Sequence, residues 1–489
     1  LHSLRRRQRQ MCIRDSDNAE LYNVYDDSGI VTMYLTVSRG NDSENTNHSW
    51  AEINHYSAYD YTAMGVARYQ VNGLLQVGDE NGPLAGEVGY DTLAPNATVQ
   101  IRGQTSSRYT QKNYKVKLKK NKGSWRGQRT IALNKHQGEG LRFRNKMAYD
   151  LIKGIDQMMG LRTQFVHLYV KDLTDSASGV FEDYGLYTQV EQLNKTALKA
   201  HGVDPNGQLY KINSFEFYRY EDVIRLTTDP AYDQTAFEKH LEIKGNSDHS
   251  KLIKMLDVLN DESSSMDDEL FVTYFDKENI AYWMAFQLLT GNTDTQNRNV
   301  YLYSPQNSSK WYLWDWDNDG MLRRREREII NFSDSESWER GVSNYWGNVL
   351  FRRCLQTQSY RDLLDTAMKE LYAYMNEERI QSMMEHYRSV TEKYVWQMPD
   401  RMNVPITHDE YEEVLKSIWP EIDENYNYYW ESYRKPMPFY IGEPQVVNGS
   451  LLLTWDPSYN FEIENIYYTV ELAKDYLFTT TFFRQEDLT

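Results

Sequence analysis

The 489-residue chain carries only two cysteines, Cys12 and Cys354, too few for a disulfide framework or a cysteine-built zinc site. Its ten histidines are scattered and no HExxH spacing occurs, which removes the common zinc-hydrolase pattern. No apolar run approaches the ~20 residues that a membrane-spanning helix needs. Positive charge is also short, with 54 Lys and Arg against 71 Asp and Glu and a formal net charge of -17. Nucleic-acid binders are basic, so that class is excluded. An acidic balance suits a basic partner, or serves solubility alone. Aromatic residues, in contrast, are plentiful, at 14% with 39 Tyr and 12 Trp. With 40% hydrophobic residues, the composition is that of a soluble globular chain long enough for two or three domains.

The first sixteen residues do not match the rest. They hold Arg5, Arg6, Arg7, Arg9 and Arg14 against the single acid Asp15, without an apolar run of signal-peptide length. Residues 1–16 read as non-native, and setting them aside takes the net charge to -21. If the true start is missing, an export signal went with it, so the lack of one does not imply a cytoplasmic home.

Residues 17–97 show short β-like runs between turns, with Ile30 to Val37 and Val66 to Val77 as the strongest. Thr98 to Gly103 and the alternating Tyr114 to Leu118 read as two strands around a small-residue loop. Leu141 to Ile155 reads as an amphipathic helix, Val166 to Val170 with Tyr184 to Val190 as a hairpin, and Leu193 to His201 as a short helix stopped by Gly202. Leu252 to Met284 and Ser359 to Val395 are mainly helical by pattern. The expected class is therefore α+β, with a β-rich front and a mainly helical second half. After Pro436 the texture changes. Leu451 to Pro457 and Ile466 to Leu472 resemble the opening strands of a fibronectin type III module. The 52 residues 438–489 fall short of the ~100 such a sandwich requires, so a truncated module is expected there.

The segment Asp276 to Gly320 carries the chemistry. Asn279 to Thr290 is nearly all apolar and reads as a buried helix, with Asp276 as its N-cap and Gly291 as its stop. A polar loop, Asn292 to Asn299, follows. A hairpin of Val300 to Tyr303 and Trp311 to Trp314 then runs into Asp315-Trp316-Asp317-Asn318-Asp319-Gly320. This order is similar to the catalytic device of protein kinases. There a loop Asp accepts the substrate hydroxyl proton, and an Asn five positions on, with an Asp beyond the hairpin, holds magnesium. Phosphoryl transfer is mostly positioning and charge neutralisation, which is why it needs carboxylates and oxygen ligands in that pattern. Asp294 and Asn299 fit the loop spacing, and Asp317 or Asp315 fits the metal-binding position. The bland reading is a polar loop capping a buried helix, followed by a tight acidic turn.

Arg102-Gly103-Gln104-Thr105-Ser106-Ser107 followed by Lys112 to Leu118 resembles the RGxSS…KxY motif of the spore coat protein H (CotH) kinase family. Tyr184 to Gln192 resembles its G-x-Y-x-x-x-E-Q segment. Asn292 to Asn299 and Trp314 to Asp317 resemble its N-x-D…N and WD-x-D motifs. The resemblance spans about 99–317, with weaker helical similarity to about 433. It implies a divergent two-lobed kinase-like fold over 98–437 that uses ATP and Mg to phosphorylate serine. By motif, Asp294 is then the catalytic Asp, and Asn299 with Asp317 or Asp315 the metal ligands. The Arg102 to Ser107 turn, Ser106 included, stands in for the phosphate-covering loop. Lys112 or Lys117 contacts phosphate, although Lys112, Lys115, Lys117, Lys119, Lys120 and Lys122 also read as one solvated face. Glu191 lies at the nucleotide hinge or caps the following helix. One departure stands out, because the first large helix offers only Asp150 where a kinase places the Glu that pairs its Lys.

After the acidic turn, Arg323-Arg324-Arg325-Glu326-Arg327 reads as a site for phosphate or an acidic peptide, or as a solvated loop. The leading expectation is a serine protein kinase acting outside the cytoplasm, on a spore or bacterial cell surface, with a basic, serine-rich protein as substrate. It has no nucleic-acid partner and no integral membrane segment. The alternative is a non-catalytic adhesin or scaffold on the same fold, which has no need of Asp294, Asn299 and Asp317 together. A glycoside hydrolase built on Asp315, Asp317 and Asp319 leaves the D-x-x-x-x-N loop unexplained.

Overall fold

A computed structural model describes residues 19–332, 339–462 and 465–489. The segment 1–16 lies outside the described residues. Eight strands make the first sheet: β1 (Ile30–Ser38), β2 (Val71–Asp79), β3 (Gly82–Pro83), β4 (Ala97–Arg102), β5 (Asn113–Leu118), β6 (Thr130–Asn134), β7 (Thr163–Asp172) and β8 (Glu182–Glu191). Their order is β1-β7-β8-β6-β5-β4-β2-β3, and β1 also pairs with β2, so seven of them close into a barrel. Closure removes the exposed sheet edges that would otherwise invite pairing. Strict alternation fills the interior: Val99 and Ile101 on β4, and Tyr114, Val116 and Leu118 on β5, are buried in one apolar cluster with Leu35, Leu75 and Leu168. The intervening Arg102, Asn113, Lys115 and Lys117 therefore point away from it. β1 and β2 come from the stretch read as an N-terminal extension, so the boundary drawn at residue 97 runs through one sheet.

Between β1 and β2 lie two short helices, Trp50–His55 and Ala58–Met64, each opened by a capping box, Ser49 with Glu52 and Ser57 with Asp60. The Arg144–Ile152 helix then leads to the β7–β8 hairpin.

The second half is mainly helical around a small sheet of β9 (Gln208–Ile212), β10 (Leu241–Ile243), β11 (Val300–Ser304) and β12 (Tyr312–Asp315), in the order β10-β9-β11-β12. At its centre runs the Lys277–Thr290 helix, with every residue from Asn279 to Thr290 buried. Asp276 caps its first turn by accepting from the Asn279 amide at 2.9 Å, and Gly291 ends it at φ +60. The helices Gln358–Tyr374, Glu377–Val395 and His408–Ser432 pack around it. Two lobes result, as the α+β expectation requires.

Beyond Pro436, β13 (Gln445–Val447) pairs with β14 (Ser450–Leu452) and β15 (Tyr468–Ala473) with β16 (Thr481–Leu488), as separate two-stranded ribbons. The first ribbon is exposed throughout, whereas β15 of the second is mostly half-buried. The two strands expected from the sequence fall in different ribbons, and no closed sandwich forms among the described residues.

Candidate active site

The loop after the buried helix is held from outside. Asn344 donates to the carbonyl of Thr293 at 3.0 Å and Asn348 to that of Gln296 at 2.8 Å. Thr295 bonds the Tyr345 hydroxyl at 3.0 Å, and Asn297 donates to Glu216 at 2.6 Å. These anchors fix a loop whose outward members are Asp294, Arg298 and Asn299, with Arg298 paired to Asp294 at 3.4 Å. Asn299, at φ 55, donates its side-chain amide to both the carbonyl and Oδ2 of Asp294, each at 3.1 Å. The Asn299 Oδ1 oxygen takes no part in these bonds. The walls around Asp294 desolvate it and raise its pKa against the pull of Arg298, and the charge of Asp319 raises it further.

In the acidic turn the carboxylates divide by role. Asp315 is buried, accepts from Gln287 at 2.5 Å and is gripped by the Asn318 side chain. Asn292 ties the same set together by donating to Gln287 at 3.1 Å and to Asn318 at 3.3 Å. Burial pushes Asp315 up to about 6. Asp317 instead turns into the cleft at φ 65, a left-handed conformation uncommon for a residue with a side chain and often found where function demands it. The Arg144–Ile152 helix supports the turn: the Tyr149 hydroxyl accepts from the Asp317 amide, and Asn145 from the Asn318 amide, both at 3.3 Å. Burial and the adjacent Asp319 hold the Asp317 carboxyl above its usual range. Asp319 lies 3.5 Å from the ring of the otherwise buried His136.

Across the cleft from Asp317 and Asp319 stand Arg102, Gly103, Ser106 and Asn113. Gly103 has φ +87, and a Cβ there would meet the Ser106 Oγ at 2.1 Å, so only glycine allows this close turn. Asn113 holds Ser106 by donating to its Oγ at 2.9 Å. Two cations flank the buried Trp316 ring, Arg102 from the barrel at 6.0 Å and Lys211 of β9 at 5.9 Å. Desolvation lowers the pKa of both, and Asp317 is the leading group that opposes it. Like-charged carboxylates and desolvated cations are thus collected around one open space, an arrangement typical of functional sites.

The sequence profile described as "CotH kinase protein" matches residues 99–429. The chain belongs to the CotH kinase family. Among curated proteins none matches in sequence. Among solved structures, the Helicobacter pylori proinflammatory kinase CtkA is similar over 65% of this chain and 94% of its own, at 10% identity and a TM-score of 0.30.

Set on the CotH domain, the residues singled out in the sequence separate into three groups. Asp317, Arg102 and Ser106 line the cleft, and Asp294 with Asn299 sits on the neighbouring loop, within electrostatic reach of Asp319. Asp315, Lys112 and Glu191 do neither. Asp315 is spent on the buried amide network. Lys112 is buried and its Nζ donates to the Ser107 carbonyl at 2.7 Å, so it braces the loop instead of reaching a phosphate. Glu191 is buried, bound by Arg162 at 2.5 Å and by His201 at 2.9 Å, with no oxygen left for a ligand. Lys117 is exposed on the barrel wall. Its neighbour two residues back, Lys115, is half-buried and lies within electrostatic reach of Arg102 and Lys244. Two cleft residues had no signal in the sequence. Lys211 comes from a short strand brought in by β11, and His136 sits at φ 51 after β6. The missing helix Glu also has an explanation, since the first large helix gives Asn145 and Tyr149 to the acidic turn. The buried barrel lysine, Lys135, pairs instead with Asp400 at 2.8 Å. Gly185 makes that contact possible, because a Cβ there would lie 1.8 Å from the Asp400 carboxylate.

Proposed function

We propose that this CotH-family protein is an ATP- and Mg-dependent kinase that phosphorylates serine on proteins of a spore or bacterial cell surface. The observation that carries the reading is the gathering of Asp317 and Asp319 opposite Arg102, Gly103 and Ser106 in one cleft, with Lys211 acting on Asp317 and with Asp294, bound by Asn299, within electrostatic reach of Asp319. Asp294 is the acceptor for the serine hydroxyl proton, and its raised pKa makes it a stronger base than a free aspartate. The donor set fits magnesium, which prefers hard oxygen ligands and few protein contacts. Asp317 and the Asn299 Oδ1 are the residues that would hold it, with Asp319 next to them. Magnesium in that position supplies charge neutralisation for the transferring phosphoryl group. Arg102 and Lys211 are placed to bind phosphate oxygens from both lobes, and backbone amides of the Gly103 turn suit the same anion. No helix among the described residues is long and apolar enough to cross a membrane. The chain's net charge of -17 draws basic proteins at long range.

The test is Mg-dependent transfer from labelled ATP to serine in a basic, serine-rich protein, in the parent chain and in Asp294→Ala and Asp317→Ala. Transfer lost in both variants, with folding stability kept within ~1 kcal/mol, supports the reading. Full transfer in both removes it, and a folded parent chain that neither binds nor uses ATP leaves a binding platform.

A further inference from the structure

The arginine run that follows the acidic turn is not a loop. It enters the Arg324–Ile329 helix and helps to line a second cavity, which shares only Arg323 with the Gly103 cleft. Arg323, Arg324, Arg327 and Arg340 contribute four guanidinium groups to it, against the two acids Glu339 and Glu421. Of the four, only Arg323 also lines the Gly103 cleft, so the cavity is distinct from the space assigned to the nucleotide. Thr293, the residue before Asp294, and Gly320, the residue after Asp319, form its inner wall. Arg327 acts electrostatically on both Asp294 and Asp319.

The cations are not all neutralised by their surroundings. Arg323 is paired with Glu326 at 2.7 Å, and Arg324 is paired with Glu424 and donates its amide to Glu421. The guanidinium of Arg340 lies 4.4 Å over the Tyr428 ring and has no carboxylate partner among the described residues. Burial pushes Glu421 up to about 7 against the pull of Arg324, so its negative charge is only partly present at neutral pH. Arg340 thus keeps a guanidinium without a carboxylate partner among the described residues, in a wall of arginines that suit planar, bidentate recognition of oxyanions.

We infer that this cavity seats an anionic side chain of the substrate, a carboxylate or a phosphorylated hydroxyl, a few residues from the serine presented to Asp294. The inference rests on the kinase reading for the position of that serine. It adds a local requirement to the long-range preference for basic proteins: an acidic or phosphorylated residue close to the acceptor.

Fluorescence anisotropy on the full chain tests it without turnover. The probes are serine-centred peptides with glutamate, phosphoserine or lysine moved stepwise along either side of the serine. At one or two positions the glutamate or phosphoserine peptide should bind about tenfold more tightly than its lysine counterpart, as expected for charge-assisted contacts to arginine. Arg340→Glu, with Arg340→Ala as the milder variant, should erase that preference while leaving the thermal shift given by ATP plus magnesium unchanged. Phosphoserine binding more tightly than glutamate assigns a phosphorylated residue as the anion, and equal binding assigns a carboxylate. Equal affinity for the acidic and lysine peptides at every position overturns the inference, as does a preference that survives both Arg340 variants. Loss of the ATP shift in Arg340→Ala also overturns it, because the cavity would then serve the nucleotide. Since binding is read directly, a failure of phosphate transfer would count against the kinase reading alone.

Discussion

At the end of β8, Glu191 meets Arg162 and His201, and every oxygen of the carboxylate has a donor within 3.1 Å. At the cleft floor, Asp317 faces Asp319, while Arg102 and Lys211 stand across from it without closing an ion pair. Both places set carboxylates against basic side chains. At the end of β8, burial alone would raise the pKa of Glu191, yet His201 and Arg162 bring it down to about 2. At the cleft, burial and a neighbouring carboxylate raise Asp317. A carboxylate that holds structure has its donors built in, whereas one that awaits a ligand is left among like charges that a cation would relieve.

Asp317→Asn and Asp294→Asn should show the largest effect. Each removes a charge that the folded state only tolerates, so stability should stay within ~1 kcal/mol. Phosphoryl transfer should fall roughly a thousandfold or more, the scale seen when a transition-state charge partner is lost. Single-turnover transfer and urea unfolding on the same samples check both halves. A large stability loss in Asp317→Asn would place it with Glu191 on the structural side.

Glu191→Gln should invert that pattern. Removing one member of a buried, hydrogen-bonded ion pair leaves Arg162 without its counter-charge, and should cost about 3 kcal/mol. The loss should appear as a lower urea midpoint at constant slope. Its pH dependence has a definite sign. The folded pKa of about 2 lies below the 4.5 of a free glutamate, so the stability it contributes is complete above about pH 4.5 and lost as pH falls toward 2. In Glu191→Gln that part of the acid-side slope should vanish, with kcat at neutral pH reduced far less than in Asp317→Asn.

The same contrast accounts for what the sequence revealed and what it withheld. The order of buried helix, polar loop, hairpin and acidic turn is local, and the cap Asp276, the stop Gly291 and the loop positions of Asp294 and Asn299 could be read from residue type and spacing. Asp315 and Asp317 could not be told apart, because the choice depends on Gln287 and Asn318 closing around one of them. Glu191 stood in a motif, and a motif does not reveal that Arg162 and His201 occupy it. Lys211 was invisible for a simple reason: β9 is five residues long and reaches the cleft only by pairing with β11. The barrel was half legible. Its strands alternate clearly, but the closing β1–β2 and parallel β1–β7 pairs are long-range contacts. The two capping boxes between β1 and β2 did mark helices that the strand-rich reading passed over.

The smallest effects should come from the lysines, and they test how far the cleft extends along β5. Asn113, Lys115 and Lys117 share the outer face of that strand, yet only the first two are drawn in beneath the other lobe. Lys211→Ala should raise the KM for ATP about tenfold, since a desolvated cation beside Asp317 is screened little by water. Lys115→Ala should raise it only about threefold, because this lysine acts from beyond Arg102 and its contribution is partly screened. Lys117 is exposed, and charges of that kind contribute little, so Lys117→Ala should leave the KM within about twofold of the parent. Initial-rate kinetics on the three variants, with kcat followed separately, rank them. If Lys117→Ala matched Lys211→Ala, the nucleotide would lie along the outer wall of the barrel instead of between the lobes.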